Sequence, residues 1–358
     1  MIQYLLGAWN PWNWSDISCN KMEFSVIIPA YNAEKTIDSC IQALLSQSIP
    51  REQYEIILVD DGSTDATAKI VQTYPVIYHY QKNKGPAAAR NKGTTISKGK
   101  IILFTDSDCV PDHFWIQEMV SPFLANPEIS GVKGAYKTKQ KGLTARFAQA
   151  EFEDRFVLLG KSSFIDMVDT YSAAFKRDIF IKAGGFDPFF PVANNEDTEL
   201  SYRLVSDGHL LVFNSRAFVY HTHPNTLGKY LKIKFWRGYW RMVVYARYPE
   251  KAIKDSYTPA VIKIQTLLML LLVPILIIGF FFWRIHAYCI LGLMVTIMVT
   301  SVPFSLASFK KDKAVGLFSP FYCLLRAAVF AAGSAGGILY VVIDRIFRRY
   351  RRLFNNQD

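Results

Sequence analysis

The sequence predicts an α/β fold, a Rossmann-like, mostly parallel sheet covered by helices, followed by transmembrane helices at the C-terminal end. Three observations predict it. As far as Thr105, short apolar runs alternate with segments of helical periodicity. Several of these runs stop at a polar cluster, as strands do where a sheet meets solvent. Beyond about Tyr257, Ala260 to Trp283 and Ala287 to Phe309 are nearly uncharged and long enough to span hydrocarbon.

In chain order, Phe24 to Pro29 is an apolar strand ended by proline and the loop at Tyr31 and Asn32. Thr36 can cap a helix whose apolar residues Ile37, Ile41, Leu44 and Leu45 recur at helical spacing until Ser48 and Pro50. Tyr54 to Val59 is the second strand, closing on Asp60, Asp61, Gly62 and Ser63, and Asp65 can cap a helix through Val71. A third strand at Val76 to Tyr80, a third helix at Ala87 to Ile96 and a strand at Ile101 to Thr105 complete the alternation. Right-handed crossovers between parallel strands are the expected connections. Further on, a short helix covers Ile179 to Ala183, a helix opens at Asn195, and Leu210 to Phe213 is a strand. From Thr226 to Arg247, Tyr230, Ile233, Phe235, Trp236, Tyr239, Trp240 and Val243 interleave with lysines and arginines, the signature of an interfacial helix.

The net charge of +11 is unevenly placed. Lys229 to Lys254 holds eight Lys or Arg against one Glu, and Lys310 to Asp358 holds nine against three Asp. Positive charge beside apolar spans fits anionic headgroups and the positive-inside rule, and nucleic acid is not expected as a partner. The five cysteines show no CxxC and no Cys/His ligand spacing, so neither a disulfide framework nor a zinc site is indicated. The N-terminal stretch to Trp14 has no basic n-region and only a short apolar core, so it is a poor secretory signal. It is expected to be either an interfacial extension or sequence upstream of a start at Met22.

The chemistry-bearing residues gather where ligands collect in such sheets, beyond the carboxyl ends of strands. Asp106 and Asp108 flank Ser107 at the end of Ile101 to Phe104, and hard oxygen donors there can hold Mg²⁺ or Mn²⁺ and with it a diphosphate. Asp61 can accept from a base or ribose. Arg90, near the start of a helix that follows Lys84 and Gly85, can meet phosphate. Taken singly, each is equally a turn, a cap or a solvated helix residue.

Taken together, PAYN after the first strand, VDDGSTDAT, NKGPAAARNKG and FTDSD resemble, in order and spacing, the nucleotide-sugar half of a family 2 glycosyltransferase with the GT-A fold. That resemblance implies a nucleotide pocket lined by Pro29, Ala30, Tyr31 and Asn32, and donor contacts from Asp60, Asp61, Lys84, Gly85, Arg90, Asp106 and Ser107. It further implies a DXD-type metal site at Asp106 and Asp108. Asn195 to Leu200 matches the family's ED motif, which makes Asp197 the base with Glu196 beside it. Gly184, Gly185 and Phe186 look like the GGF turn along the acceptor site, and Trp240 is expected near the acceptor. In several members a histidine joins the metal, and His221 is favoured here over His223. The family's QxxRW motif is replaced by Arg237-Gly238-Tyr239-Trp240, which argues against processive polymer synthesis.

The expected organisation is an extension over 1–22, a catalytic domain over 23–228, and an interfacial region over 229–258. A membrane domain over 259–344 and a basic cytosolic tail over 345–358 follow. Two full spans are expected, with Val315 to Ile343 a re-entrant or interfacial helical segment, because a third span would bury Arg326 and put the arginine-rich tail outside. The catalytic domain then faces the cytoplasm from the plasma membrane. The implied activity is an inverting, metal-dependent transfer from a UDP- or GDP-sugar to a hydroxyl of a lipid-linked or cell-surface glycan, with membrane lipids as the other partner. The alternatives are a polyprenyl-phosphate glycosyltransferase, a non-catalytic nucleotide-sugar-binding membrane protein and a small transporter. The sequence does not specify the oligomeric state.

Overall fold

The structure is a computed structural model that describes residues 22–190, 195–272, 275 and 283–354. The expected extension lies outside these residues apart from Met22, as does much of the second half of the expected span Ala260 to Trp283. The chain forms two compact units, one of residues up to Lys137 plus Leu159–Thr222, the other of Thr138–Leu158 plus everything from His223. The helix Leu143–Leu159 therefore belongs, but for its last residue, to the C-terminal unit, where the sequence placed it in the catalytic domain.

The first unit is built on an eight-stranded sheet in the order β3-β2-β1-β4-β7-β6-β8-β5. Its strands are β1 (Phe24–Ala30), β2 (Tyr54–Asp60), β3 (Ile77–Tyr80), β4 (Ile101–Phe104), β5 (Cys109–Pro111), β6 (Ile129–Lys137), β7 (Ala173–Lys176) and β8 (Leu210–His221). As expected, β1 to β4 pair in parallel, with β1 and β2 in register from Phe24 opposite Tyr54 to Ala30 opposite Asp60. These two strands are buried along their whole length, which is why they read as continuous apolar runs without alternation. The helices α1 (Ile37–Leu45), α2 (Thr67–Val71) and α3 (Pro86–Ile96) connect them. The helix α4 (Trp115–Ala125) follows β5. The second half of the sheet is mixed. β7 lies antiparallel between β4 and β6, β6 pairs in parallel with β8, and β5 pairs antiparallel with β8. Apart from the start of β8, none of these strands was expected. They are short, interrupted by glycine or proline, or rich in polar residues, and their pairing is decided by the rest of the sheet.

In the second unit, α5 (Leu143–Leu159) packs with α8 (Leu227–Arg247) and with two long helices. Before it come α6 (Arg177–Lys182) and α7 (Glu196–Ser206) of the first unit, and after α8 come α9 (Pro249–Ile253) and α10 (Ala260–Leu270). The long helices are α11 (Trp283–Lys311) and α12 (Lys313–Phe354). Two stretches of them, Ala287–Lys311 and Lys313–Phe347, are long and apolar enough to cross a membrane. The expected re-entrant segment at Val315 to Ile343 is thus part of one continuous helix. The objection to it, a buried Arg326, is met locally: its guanidinium bonds Glu151 Oε1 at 2.7 Å and Gln265 Oε1 at 2.8 Å. Glu151 also holds the Lys234 amine at 2.8 Å and the Tyr230 hydroxyl at 2.9 Å. A buried charge compensated in this way is tolerated, whereas either partner alone would be costly. The same network corrects the picture of α8 as a simple interfacial helix, because Lys234 and Arg241 are buried. At Gly238 a Cβ would run into the backbone of Phe330, and at Gly333 into that of Phe235, so α8 and α12 approach backbone to backbone.

Candidate active site

The parallel strands deliver three loops to one edge. Ala30 and Asp60 are register partners, and Phe104 pairs with Ile27, so the segments after β1, β2 and β4 emerge together. The first two are tied to each other. The Asn32 amide donates to Ser63 Oγ at 2.9 Å, and Asn32 Oδ1 accepts from the Thr64 amide at 2.8 Å, with Asn32 in the left-handed region at φ 50°. Asp60 accepts from the Ser63 amide and from the Tyr78 hydroxyl, each at 2.8 Å. Pro29 and Ala30 are buried in β1, whereas Tyr31 is more than half exposed. Asp61 is buried and accepts from Gln81 Nε2 at 2.7 Å and from the amides of Lys84 and Gly85 at 2.8 Å each. It therefore organises the loop that leads into α3, a role the sequence did not reveal.

The centre of the site is Arg90, which is buried on α3. Its guanidinium bonds Asp106 Oδ1 at 2.7 Å and Glu196 Oε1 at 2.9 Å, and it lies over the Phe186 ring at 5.7 Å. Flanked by these carboxylates, Arg90 is held in its charged form above even its ordinary range, against the cost of burial. One guanidinium does not balance Asp106, Glu196 and Asp197. Burial, followed by the charge of Asp197, pushes the Glu196 carboxyl up to about 7, which Arg90 opposes. Two polar atoms here, Arg90 Nε and Glu196 Oε2, are buried with no hydrogen-bond partner among the described residues. The surplus of negative charge and these orphaned atoms suit a site that takes a charged ligand and a cation.

Asp108 stands beside this cluster, across from His221, with Oδ2 to Nε2 at 3.8 Å. The cause is a ladder: Cys109 of β5 is the register partner of His221 at the end of β8. Ligand atoms of Asp108, Cys109 and His221 lie within 4.8 Å of one another. Burial drives the Cys109 thiol well above its usual range, and Asp108 and His221 supply the oxygen and nitrogen donors of the group. Desolvation also raises the Asp108 carboxyl, with His221 opposing and Asp106 reinforcing the shift. Tyr171, edge-on at 4.4 Å, holds the His221 ring. The histidine favoured in the sequence is the one brought to the acidic loop. His223 instead bonds Gln149 Oε1 at 2.9 Å and stacks on Phe152 within the C-terminal unit. Of the two DXD carboxylates, only Asp108 reaches the histidine, because Asp106 is engaged by Arg90. Ser107 sits in the turn between them.

Asp197 lies in the first turn of α7, where its Oδ1 accepts from the Thr198 amide at 2.7 Å. Asn195, just before the helix, takes a left-handed conformation at φ 66°. The Gly184-Gly185 turn precedes it, and Phe186 corrects one expectation. Its ring is fully buried against Phe104 and Phe180, at 5.3 and 5.2 Å, so it supports Arg90 from below and does not face an acceptor. Asn91 holds this turn in both directions, donating to the Phe186 carbonyl at 2.7 Å and accepting from its amide at 2.9 Å. Gly185 has φ +70°, and a Cβ there would lie 2.6 Å from Asn91 Oδ1. Gly185→Ala is expected to lower stability by about 1–3 kcal/mol, measured by denaturant melts of the purified protein. Trp240 lies on α8 in the C-terminal unit, edge-on to Tyr239 at 5.3 Å.

Residues 25–183 match the family described as glycosyl transferase family 2. The chain is 30% identical over 222 residues to glycosyltransferase AglE of Haloferax volcanii, covering 59% of this chain and 70% of that one. It is 23% identical over 261 residues to a glucosyl-dolichyl phosphate glucuronosyltransferase of the same organism, covering 66% and 82%. Of other relatives it spans far less, in one case 15% of the length. Among solved structures, the mannosyltransferase PcManGT of Pyrobaculum calidifontis, in complex with GDP-Man and Mn²⁺, superposes with a TM-score of 0.57 over 94% of this chain and 92% of that one, at 20% identity. Fold and site together define a glycosyltransferase with the GT-A architecture. The chain belongs to glycosyltransferase family 2.

Proposed function

We propose that the protein is a membrane-anchored, inverting glycosyltransferase that moves a sugar from a UDP- or GDP-sugar to a hydroxyl of a lipid-linked or cell-surface glycan. The observation that carries this reading is the convergence of Arg90, Asp106, Asp108, Glu196, Asp197 and His221, drawn from four separate segments, at the carboxyl edge of the sheet. In it, the loops carrying Tyr31, Asn32 and Asp61 bound the nucleoside, and Lys84 and Gly85 lie beside them. Arg90 holds Asp106 in place and offers positive charge near the diphosphate. Asp108 and His221, joined by Asp106 once a ligand competes for Arg90, would hold Mg²⁺ or Mn²⁺. When bound, such an ion offsets the charge that builds on the departing nucleoside diphosphate. Asp197 takes the proton of the attacking hydroxyl, and attack from the face opposite the leaving group inverts the anomeric carbon. Cytosolic donors and the basic residues Lys310, Lys311 and Lys313 at the junction of the long helices support a cytoplasmic catalytic unit at the plasma membrane.

A second reading, transfer to a polyprenyl phosphate, is favoured by the engagement of Asp197 Oδ1 with the Thr198 amide in the first turn of α7, since an acceptor that is already an anion needs no base. The test is a panel of nucleotide sugars with purified membranes and Mn²⁺ or Mg²⁺, reading released nucleoside diphosphate. Release is expected with one donor class, lost with chelator and restored by the metal. Silence across all donors and metals would remove the enzymatic reading and leave a non-catalytic nucleotide-sugar-binding protein.

A further inference from the structure

Behind the charged groups at the carboxyl edge, the first unit buries an ion pair that the catalytic reading does not use. Lys133 of β6 is paired with Asp169, in the segment before β7, and both side chains are buried. Such a pair is a weak source of stability, because the cost of taking two charges out of water offsets their attraction, and apolar residues of similar volume often serve as well. Its surroundings offer another use. Residues 165–172 run between the α7 end of the site and His221. On one side the Val168 amide donates to Ser201 Oγ at 2.9 Å, and Ser201 Oγ donates to the Asp197 carbonyl at 2.7 Å. On the other, Ser172 Oγ accepts from Trp115 Nε1 at 2.8 Å, and a Cβ on Gly134 would run into Ser172. All of these residues are buried except Tyr171, which is partly so, and its ring meets His221 edge-on at 4.4 Å.

An irregularity in β6 connects the ion pair to this ring. In a regular strand Lys133 and Tyr136, three residues apart, would point to opposite faces. The register of β6 against β8 breaks between Lys133 and Ala135, and the Lys133 amine reaches the Tyr136 hydroxyl at 3.2 Å. The Tyr136 ring in turn lies edge-on to Tyr171 at 5.1 Å and 6.1 Å from His221. Asp169 thus anchors Lys133, Lys133 anchors Tyr136, and the two tyrosine rings pack on the imidazole whose Nε2 faces Asp108. Ring packing alone leaves an imidazole free to swing, whereas a buried, hydrogen-bonded charge network behind the rings is rigid.

We infer that Lys133 and Asp169 are positioning residues for His221: through Tyr136 and Tyr171 they fix the imidazole in the orientation that a divalent cation shared with Asp108 requires. This rests on the proposed metal site and adds to it that part of the control of cation affinity lies in an ion pair outside the ligand set.

The experiment titrates Mn²⁺ into the full chain in phosphatidylcholine nanodiscs, alone and with UDP or GDP, and reads the free ion by electron paramagnetic resonance. Replacing both charges, Lys133→Met with Asp169→Leu, leaves no unpaired charge in the core, so a denaturation midpoint near that of the parent is expected. Mn²⁺ binding by this double variant is expected to be ~10- to 100-fold weaker, the range lost when the groups behind a metal ligand are removed. Tyr171→Ala, at a partly exposed position, is expected to show a loss in the same range, and Tyr171→Phe, which keeps the ring edge, to retain the parental affinity. Parental affinity in the folded double variant, or in Tyr171→Ala, would overturn the inference and leave the pair a purely structural role. His221→Ala separates that failure from failure of the metal site. If it weakens Mn²⁺ binding while the double variant does not, the positioning role alone falls. If the parent binds no Mn²⁺ under any of these conditions, or His221→Ala leaves binding untouched, the metal site and the inference fall together.

Discussion

Asp197→Asn is expected to lower kcat by about 10²- to 10⁴-fold, the range a positioned general base contributes, while leaving the Kd for the nucleotide sugar unchanged. The substitution is nearly isosteric. It keeps a side-chain oxygen to accept from the Thr198 amide, so that contact in the first turn of α7 survives. In the proposed reading the donor contacts come from the loops after β1, β2 and β4, which α7 does not supply. What the change removes is the negative charge that would take a proton. The measurement pairs a turnover assay with binding of the nucleotide sugar by calorimetry. Full turnover on a polyprenyl phosphate acceptor would sink the role of Asp197 as base and favour the second reading. A fall in stability above about 1 kcal/mol would assign Asp197 to stabilising the first turn of α7. The same variant also relieves Glu196 of its like-charged neighbour, so the Glu196 carboxyl, raised to about 7, is expected to move down toward its ordinary value of 4.5.

The first half of the sheet was legible because β1 and β2 are buried on both faces and end in loops whose residue types are restricted. Asp61 and Asp106 stood out for the same reason, each sitting two residues beyond an apolar run, with Asp108 two residues further on. What could not be read was pairing across the chain. β5 is three residues long and includes a proline, yet its antiparallel register with β8 sets His221 opposite Cys109 and so beside Asp108. Nothing local in Cys109-Val110-Pro111 signals this, and the preference for His221 over His223 came from resemblance alone. The helix α5 was not read from the sequence for another reason. Its apolar residues show almost no one-sided pattern, because it packs with helices of the C-terminal unit through Phe147 and Ala148 and at the same time buries Glu151. A carboxylate there reads as solvent-facing until Lys234 and Arg326 are known to reach it. The continuous α12 has the same origin. The partner that compensates Arg326 within it, Glu151, lies 175 residues away in sequence.

Arg90→Met is expected to destabilise the first unit by about 3–5 kcal/mol, the cost of breaking a buried ion pair by removing one partner. Arg90 is 1% exposed and Glu196 2%. Without the guanidinium, two of the carboxylates it now bridges face each other, with Asp197 beside them, in a region already short of positive charge. The loss should depend on pH, with a sign fixed by Glu196. A carboxyl whose folded pKa lies above its unfolded value contributes stability that is full below about 4.5 and is lost as pH rises through about 7. Removing Arg90 raises the folded value further, so the variant should lose most of its stability above neutrality and recover part of it near pH 5. Adding Glu196→Gln to Arg90→Met should restore stability and flatten this dependence, because the amide needs no counter-charge. Chemical denaturation of the two variants and the parent at pH 5 and pH 8 decides it. Equal losses at both pH values, or no recovery in the double variant, would mean that Arg90 stabilises by packing on Phe186 and not by holding Glu196 and Asp106 apart.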